Sequence, residues 1–514
     1  MGNCISCINH SSVSAPVANH TIPPQAFAPV ALPSDIWREI AAVASADSVL
    51  TLRRISRDLR SAVDSLDQSN LNRINQSTDS TVDLYQSDTG VRSVTRNPET
   101  QGAMARRNKN ISPALQAFFA HSNDANVRRH LALNPNLTST VQQTLVQDQE
   151  ADVRAALARN PSLTSDARQQ TLAQDQNESV RSYLANNPNL TSAVQQTLAL
   201  NQNAAVQIYL ANNPNLTSTV QQTLALNQNS AVRIYLANNP NLTSAVQQTL
   251  ALDQNAVVRV VLARNPSLTS EARQEVLTQD QNADVRAALA RNPSLTSDAR
   301  QQTLTQDQDE WVRSNLALNT SLTSEAVQQT LAKDQNEWVR RNLAFNSSLT
   351  SEASQQTLAK DQNAPVRSTL AGNPSLTSDA AQQTLAKDQN TENVRRRLAG
   401  NPSLTSETAQ QTLAQDQNAE VRVILASNPS LSSAAAQQTL AKDQNADVRS
   451  TLARNPSLSS EAAQQTLAQD QNAEVRRNLA HNPSLSSEAA KQTLAQDQNT
   501  AVRVFLRRID PADR

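Results

Sequence analysis

Val followed by Arg, once by Gln at Val206-Gln207, recurs through most of the chain. The positions are Val127, Val153, Val180, Val206, Val232, Val258, Val285, Val312, Val339, Val366, Val394, Val421, Val448, Val475 and Val502, at intervals of 26 to 28 residues. Self-similarity at a fixed period of this length is the signature of a repeat architecture. One unit, Ala283 to Gln308, is ADVRAALARNPSLTSDARQQTLTQDQ. Its Val285, Ala288 and Leu289 fall at i, i+3 and i+4 and predict a short helix with one apolar face. Asn292-Pro293 ends that helix, because the residue before proline is pushed out of the α region. Thr296 and Ser297 open a second helix, with hydroxyls suited to capping and Asp298 placed well against the helix dipole. It closes on Leu304, before the polar Asp307-Gln308 turn. A unit this small cannot bury its own apolar face, so stacking makes the core. The expectation is an all-α solenoid of about fifteen short-helix repeats. It covers residues 111–508, with 509–514 as a tail, and Phe118 and Phe119 close one end while Phe505, Leu506 and Ile509 close the other. An imperfect extra copy is expected at Val91-Arg92 with Asn97-Pro98.

Composition narrows the function classes. Of 514 residues only 5 are Gly and 2 are Cys. So little glycine argues against tight β-hairpins and phosphate-cradling loops, which use backbone angles that glycine adopts cheaply. A formal net charge of −1 gives no case for nucleic acid. No apolar run approaches the roughly 18 residues of a membrane span, and the N-terminus lacks a basic-then-apolar export signal. The five histidines, His10, His20, His121, His130 and His481, are scattered, and no nucleophile, base and orienting group come together. The expectation is a binding protein, not an enzyme, with no cofactor and no metal.

The first 110 residues follow other patterns. The chain opens MGNCISC, placing Gly2 and Ser6 as in an N-myristoylation motif. One myristoyl chain anchors only marginally, and Cys4 and Cys7 stand where palmitoylation would add the second anchor. Cys4-x-x-Cys7 with His10 and His20 also admits a metal or redox reading, although the spacing fits no zinc finger well. Residues 1–31 are therefore expected to be an acylated tether. Within 32–66, Pro33 suits a first helical turn, Ile36, Ile40 and Val43 form one apolar stripe, and Val49, Leu52, Ile55 and Leu59 form a second. This is a small helical hairpin that must dock on something. Residues 67–110 are polar and hydroxyl-rich and read as a linker, with Arg106, Arg107 and Lys109 as a candidate lipid contact.

Two kinds of polar and aromatic position stand out in the repeats. Arg286, Arg313 and Arg340 each follow an Asp (Asp280, Asp307, Asp334) by six residues. A half-buried Arg needs a carboxylate and the Asp beside it supplies one, so a structural ladder is the expectation, with a binding stripe as the rival. Asn292, Asn319 and Asn346 satisfy backbone groups at helix ends. Function is better sought where copies differ. Tyr183, Tyr209 and Tyr235 share a register on successive copies; Trp311 and Trp338 each precede the repeated Val, with Phe345 nearby. The same two copies lose the proline after Asn, giving Asn319-Thr320 and Asn346-Ser347. These aromatics fit either anchors for a protein partner or filler between layers, and the coincidence points to a local site or bend at 311–348.

The unit resembles the leucine-rich repeat variant family through its ordered Val, Arg, Leu, Ala, Asn and Pro. That likeness implies a right-handed superhelix of short α and 3₁₀ or α helices. Residues 32–66 resemble an F-box, through Leu32-Pro33, the spaced apolar residues and LRRISRDLR. The F-box resemblance implies that Leu32, Pro33, Ile36, Ile40, Val43, Leu52, Ile55 and Leu59 contact a Skp-type adaptor of a cullin ubiquitin ligase while the repeats hold a target. The combination is similar to type III F-box effectors of plant pathogens, exported into a host cell and held at the cytoplasmic face of its plasma membrane or free in its cytoplasm. A membrane-tethered scaffold with no ubiquitin link is the alternative.

Overall fold

The computed structural model describes Leu71, Asn75 and residues 82–87, 90–107, 111–389 and 392–503. It divides into two units, Met1–Leu145 and Val146–Arg514.

In the first unit, β1 (Val82–Ser87) pairs antiparallel with β2 (Gly90–Thr95), Ser87 opposite Gly90. Leu84 and Val94 turn inward and are buried, as is Leu71. Asn75 accepts from the Leu84 N–H and donates to its carbonyl, both at 2.8 Å, and Arg96 Nε donates to Asp83 at 3.0 Å. The stretch expected to be a polar linker thus holds a hairpin, and only two inward apolar residues among many hydroxyls signal it. The glycine argument against hairpins fails here too.

Helices α1 (Pro98–Arg107), α2 (Pro113–Ala120), α3 (Ala125–Ala132) and α4 (Ser139–Val146) follow. The extra repeat copy is α1 with α2, not Val91-Arg92, which lies in β2. Asn134 Nδ2 donates to the Ala105 carbonyl at 2.7 Å, and Gln116 Nε2 to those of Ile111 and Asn136 at 3.2 and 3.0 Å. The Asn bond recurs from Asn187 to Asn482 and the Gln bonds from Gln169 to Gln464. Phe119 is fully buried and the Phe118 ring lies 5.8 Å from that of Tyr85.

The second unit runs from α5 (Ala151–Ala158) to α30 (Glu488–Ala495). Odd-numbered helices carry the Val-Arg segment and pack on one another; even-numbered helices carry the Gln-Gln-Thr-Leu segment and do the same. The result is a two-layered solenoid of α-helices eight or nine residues long. Each copy buries its repeated Val, and the copy at 283–308 also buries Leu289, Ala290, Leu295 and Leu304; alanine lets neighbouring helices approach closely.

Three side-chain ladders run through the stack. Asn319, fully buried, donates from Nδ2 to the carbonyls of Ala290 (2.8 Å) and Asn292 (3.0 Å), one copy back. Its Oδ1 accepts from the Ser321 N–H. Buried Gln355 donates to the carbonyls of Leu349 (2.9 Å) and Ser375 (2.8 Å) and accepts from the Ser378 N–H. The third ladder pairs Arg with Asp. Helix termination follows the Asn ladder and not proline: Asn346, before Ser347, holds φ −66 and ψ 126, as Asn265 before Pro266 holds φ −68 and ψ 121. The ladders pass through 311–348 with every Asn rung in place.

A candidate protein-binding cleft

Every first helix presents the same register to solvent, and its residues vary. In α19 (Glu337–Phe345), Trp338 stands one residue before the buried Val339, and Phe345 is the last helical residue. Neither is filler: Trp338 is 56% exposed and Phe345 70%. The position of Phe345 is held by Arg291 and Leu318 in the two preceding copies and by Gly372 and Gly400 in the two that follow. The loss of side chain at those two glycines leaves an open cleft of about 960 Å³ beside the aromatic pair.

Backbone geometry does not require either glycine. Gly372 sits at φ −92 and ψ 1, a conformation open to any residue. A Cβ there would meet nothing closer than 3.7 Å, and one at Gly400 would crowd only the Ile424 side chain, at 3.3 Å, with the Arg396 carbonyl next at 3.7 Å. What these glycines supply is room.

The cleft has Trp338, Phe345, Leu318 and Ile424 as apolar walls and Arg291, Arg341, Arg396 and Arg397 as cations, with no Asp or Glu in its lining. The Arg341 guanidinium lies 5.3 Å from the Trp338 ring centre, within cation–π range. Arg397 Nη1 donates to the Ser368 carbonyl at 3.2 Å, and Arg396 pairs with Glu420 at 3.0 Å. Asn342 Nδ2 donates to Ser314 Oγ at 2.7 Å. Trp311 lines a second cleft of about 420 Å³ with Arg264, Asp284 and Asn315. Arg291 borders both clefts.

The tyrosines are elsewhere. Tyr183, Tyr209 and Tyr235 share the register of Asn342 but line neither cleft, and the Arg159 guanidinium covers the Tyr183 ring at 3.9 Å. Their three copies carry a feature that sequence reasoning missed. Leu200, Leu226 and Leu252 cap successive second helices and are exposed, Leu200 by 75%. The signal was available: later copies place Gln or Lys there, as at Gln279, Lys333 and Gln415, and Arg233 is the one charged residue between Arg181 and Asp253.

The repeated Arg and Asp are structural, but paired differently from the expectation. Arg286 grips the carboxylate of Asp307 in the next copy, at 2.6 and 3.0 Å, and meets Asp280 only at its backbone carbonyl. Hydrogen bonding from Arg476 holds the Asp497 carboxyl below its ordinary pKa, against the opposing effect of burial. At Asp175 burial pushes upward, and the bonds from Arg154 and the Asn177 N–H more than offset it. The corresponding bond to Asp307 raises Arg286. Gly2, Cys4, Cys7 and the adaptor set from Leu32 to Leu59 lie outside the described residues, as do Lys109, Phe505, Leu506 and Ile509.

No family model matches the chain, and no curated protein matches it. Among solved structures it is similar to a leucine-rich repeat variant with a novel repetitive structural motif. That match has 21% identity and a TM-score of 0.32, and covers 44% of this chain and 87% of the other. It is also similar to Kap121p in a crystal structure with RanGTP, at 13% identity and a TM-score of 0.28, covering 92% of this chain and half of that one. The solenoid assignment itself stands on the stacked helices and their ladders, an architecture suited to holding proteins along an extended surface.

Proposed function

We propose that the chain is a non-catalytic receptor that holds a target protein on its first-helix face, at the cleft between Trp338 and Gly400, and delivers it to a ubiquitin ligase. The observation that carries the binding part is the exposed Trp338–Phe345 pair beside a hollow made by two glycines the backbone does not need. Exposed aromatics beside arginines are the usual anchors of protein interfaces. The ligase part rests on the F-box resemblance of residues 32–66. The receptor breaks no bond itself; it raises the effective concentration of target near a charged conjugating enzyme. Acylation at Gly2, Cys4 and Cys7 would confine that activity to a membrane face, and export by a type III system into a host cell completes the reading.

The test is a pull-down of the full-length chain with purified Skp adaptor, beside a variant carrying Leu32→Ala, Pro33→Ala and Ile36→Ala. Retention by the parent and loss in the variant support the receptor. No retention by a folded parent sinks the ligase part and leaves a tethered binding scaffold.

A further inference from the structure

The cleft also specifies the chemistry of its occupant. From the geometry we infer that it takes an acidic peptide segment: an apolar side chain seated over Gly372 and Gly400, with carboxylates on either side reaching the arginines. This rests on the reading of the cleft as a protein-binding site.

Charge carries the first part of the argument. Arg291, Arg341, Arg396 and Arg397 converge on the cleft, and no carboxylate lines it. Elsewhere in this unit most recurring arginines are answered within the stack, as Arg286 is by Asp307, and of the cleft's own arginines Arg396 is answered by the exposed Glu420. Among the described residues Arg341 meets only the Trp338 face, and Arg397 a single backbone carbonyl. The register just before the repeated Val reads Asp284, Trp311, Trp338, Pro365, Asn393, Glu420 and Asp447 along the stack. From Trp311 to Asn393, alongside the middle copies of the cleft, this register holds no acid. Arg341 and Arg397, neither paired with a carboxylate among the described residues, are suited to carboxylates, which guanidinium groups bind in a planar, two-pronged geometry.

Shape carries the second part. The hollow over Gly372 and Gly400 has apolar walls from Trp338, Phe345, Leu318 and Ile424, so it selects an apolar side chain between the acids. A nucleic acid fits less well, since its phosphates would need cations along a continuous track, and here acids flank a short basic patch.

Short random peptides displayed on phage are selected against the purified full-length chain, against Gly372→Leu, and against the double variant Arg341→Gln with Arg397→Gln. Gly372→Leu fills the hollow with the residue that Leu318 already places in this register, so the stack tolerates it; circular dichroism and the melting temperature confirm folding. The expected result is enrichment of peptides with Asp or Glu on both sides of an apolar residue. Their synthetic versions should bind both variants at least about tenfold more weakly, and lose as much when the acids become Asn and Gln. Enrichment of neutral or basic peptides, no enrichment, unchanged affinity in both variants, or tighter binding of a single-stranded oligonucleotide overturns the inference. Photo-crosslinking from position 345 separates it from the reading beneath it. Adducts with purely neutral protein segments keep the receptor and overturn the acidic occupant. Acidic peptides that bind the cleft when no protein adduct forms uphold the chemistry and overturn the receptor.

Discussion

Arg286 reaches forward twenty-one residues to the carboxylate of Asp307 and backward six to the main-chain carbonyl of Asp280. One side chain thus ties together the turn before its helix and the turn of the following copy. Asp280 in turn receives Arg259 from the copy behind, so each rung is linked to the next. The pairs are mostly withdrawn from water, with the Asp307 side chain 8% exposed, which places them among the ion pairs whose disruption is felt.

That ladder is broken at two successive copies: Gln207 stands where the Arg belongs and accepts from Asn227 Nδ2 at 2.9 Å, and the copy before it lacks the Asp. Arg181 has Asn201 where its partner copy should supply Asp, its Nε is buried without a hydrogen bond, and its Nη1 donates only to backbone carbonyls. Asn201→Asp restores the carboxylate and should stabilise the protein by about 1 kcal/mol, whereas Asp307→Asn should cost about 2 kcal/mol, the worth of a charged hydrogen bond. Urea denaturation of the two variants checks both signs. Equal midpoints for parent and Asn201→Asp would show that the rung contributes nothing.

Asn319→Ala removes three hydrogen bonds and leaves the buried carbonyls of Ala290 and Asn292 without that donor. The cost should be about 3 kcal/mol, since each unmet buried group costs roughly 1–3. Contacts in a solenoid are between nearest neighbours, so the loss should be local. Hydrogen exchange should accelerate around residues 290–321 well before it does so in distant copies.

Acid should weaken the stack. The Asp497 carboxyl, lowered by Arg476 and the Asn499 N–H, binds its proton less tightly folded than unfolded. Its stabilisation is therefore complete above the unfolded value of about 3.9 and is lost as pH falls through the lower folded value. Asp175 acts in the same direction. The melting temperature should hold steady from neutral pH and decline below that point. Asp497→Asn should show a shallower decline than the parent.

Leu200, Leu226 and Leu252 contribute little to the fold, because each is exposed at a position that tolerates Gln or Lys in later copies. Changing all three to Gln should alter stability by no more than about 0.5 kcal/mol per site. Retention on a hydrophobic-interaction column should fall, since a row of apolar groups leaves the surface. A large loss of stability would mean that these leucines are packed.

Much of the fold was legible because the repeat writes the same physics many times. Val285, Leu289 and Leu304 declare a helical face by spacing alone, and their recurrence declares the stack. The hairpin was not legible, because β1 and β2 occur once and bury only Leu84 and Val94 on described inward positions. The partner of Arg286 was misjudged for a related reason. Asp280 and Asp307 are the same residue in consecutive copies, and periodicity cannot say which of two equivalent carboxylates a side chain reaches.

The candidate site divides the same way. Trp311, Trp338 and Phe345 were visible as departures from the repeat, and so were the lost prolines. Gly372 and Gly400 drew no notice, because a missing side chain matters only when its neighbours in space are known. The sequence by itself determined the period, the two helices of each copy and the faces they bury, since these follow from local spacing. Only the tertiary structure decided that Phe345, Gly372 and Gly400 form one wall and its hollow, that Arg341 and Arg397 face it unanswered by acids, and that Arg pairs forward. Those relations join residues one or more copies apart, and their energy exists only once the copies are stacked.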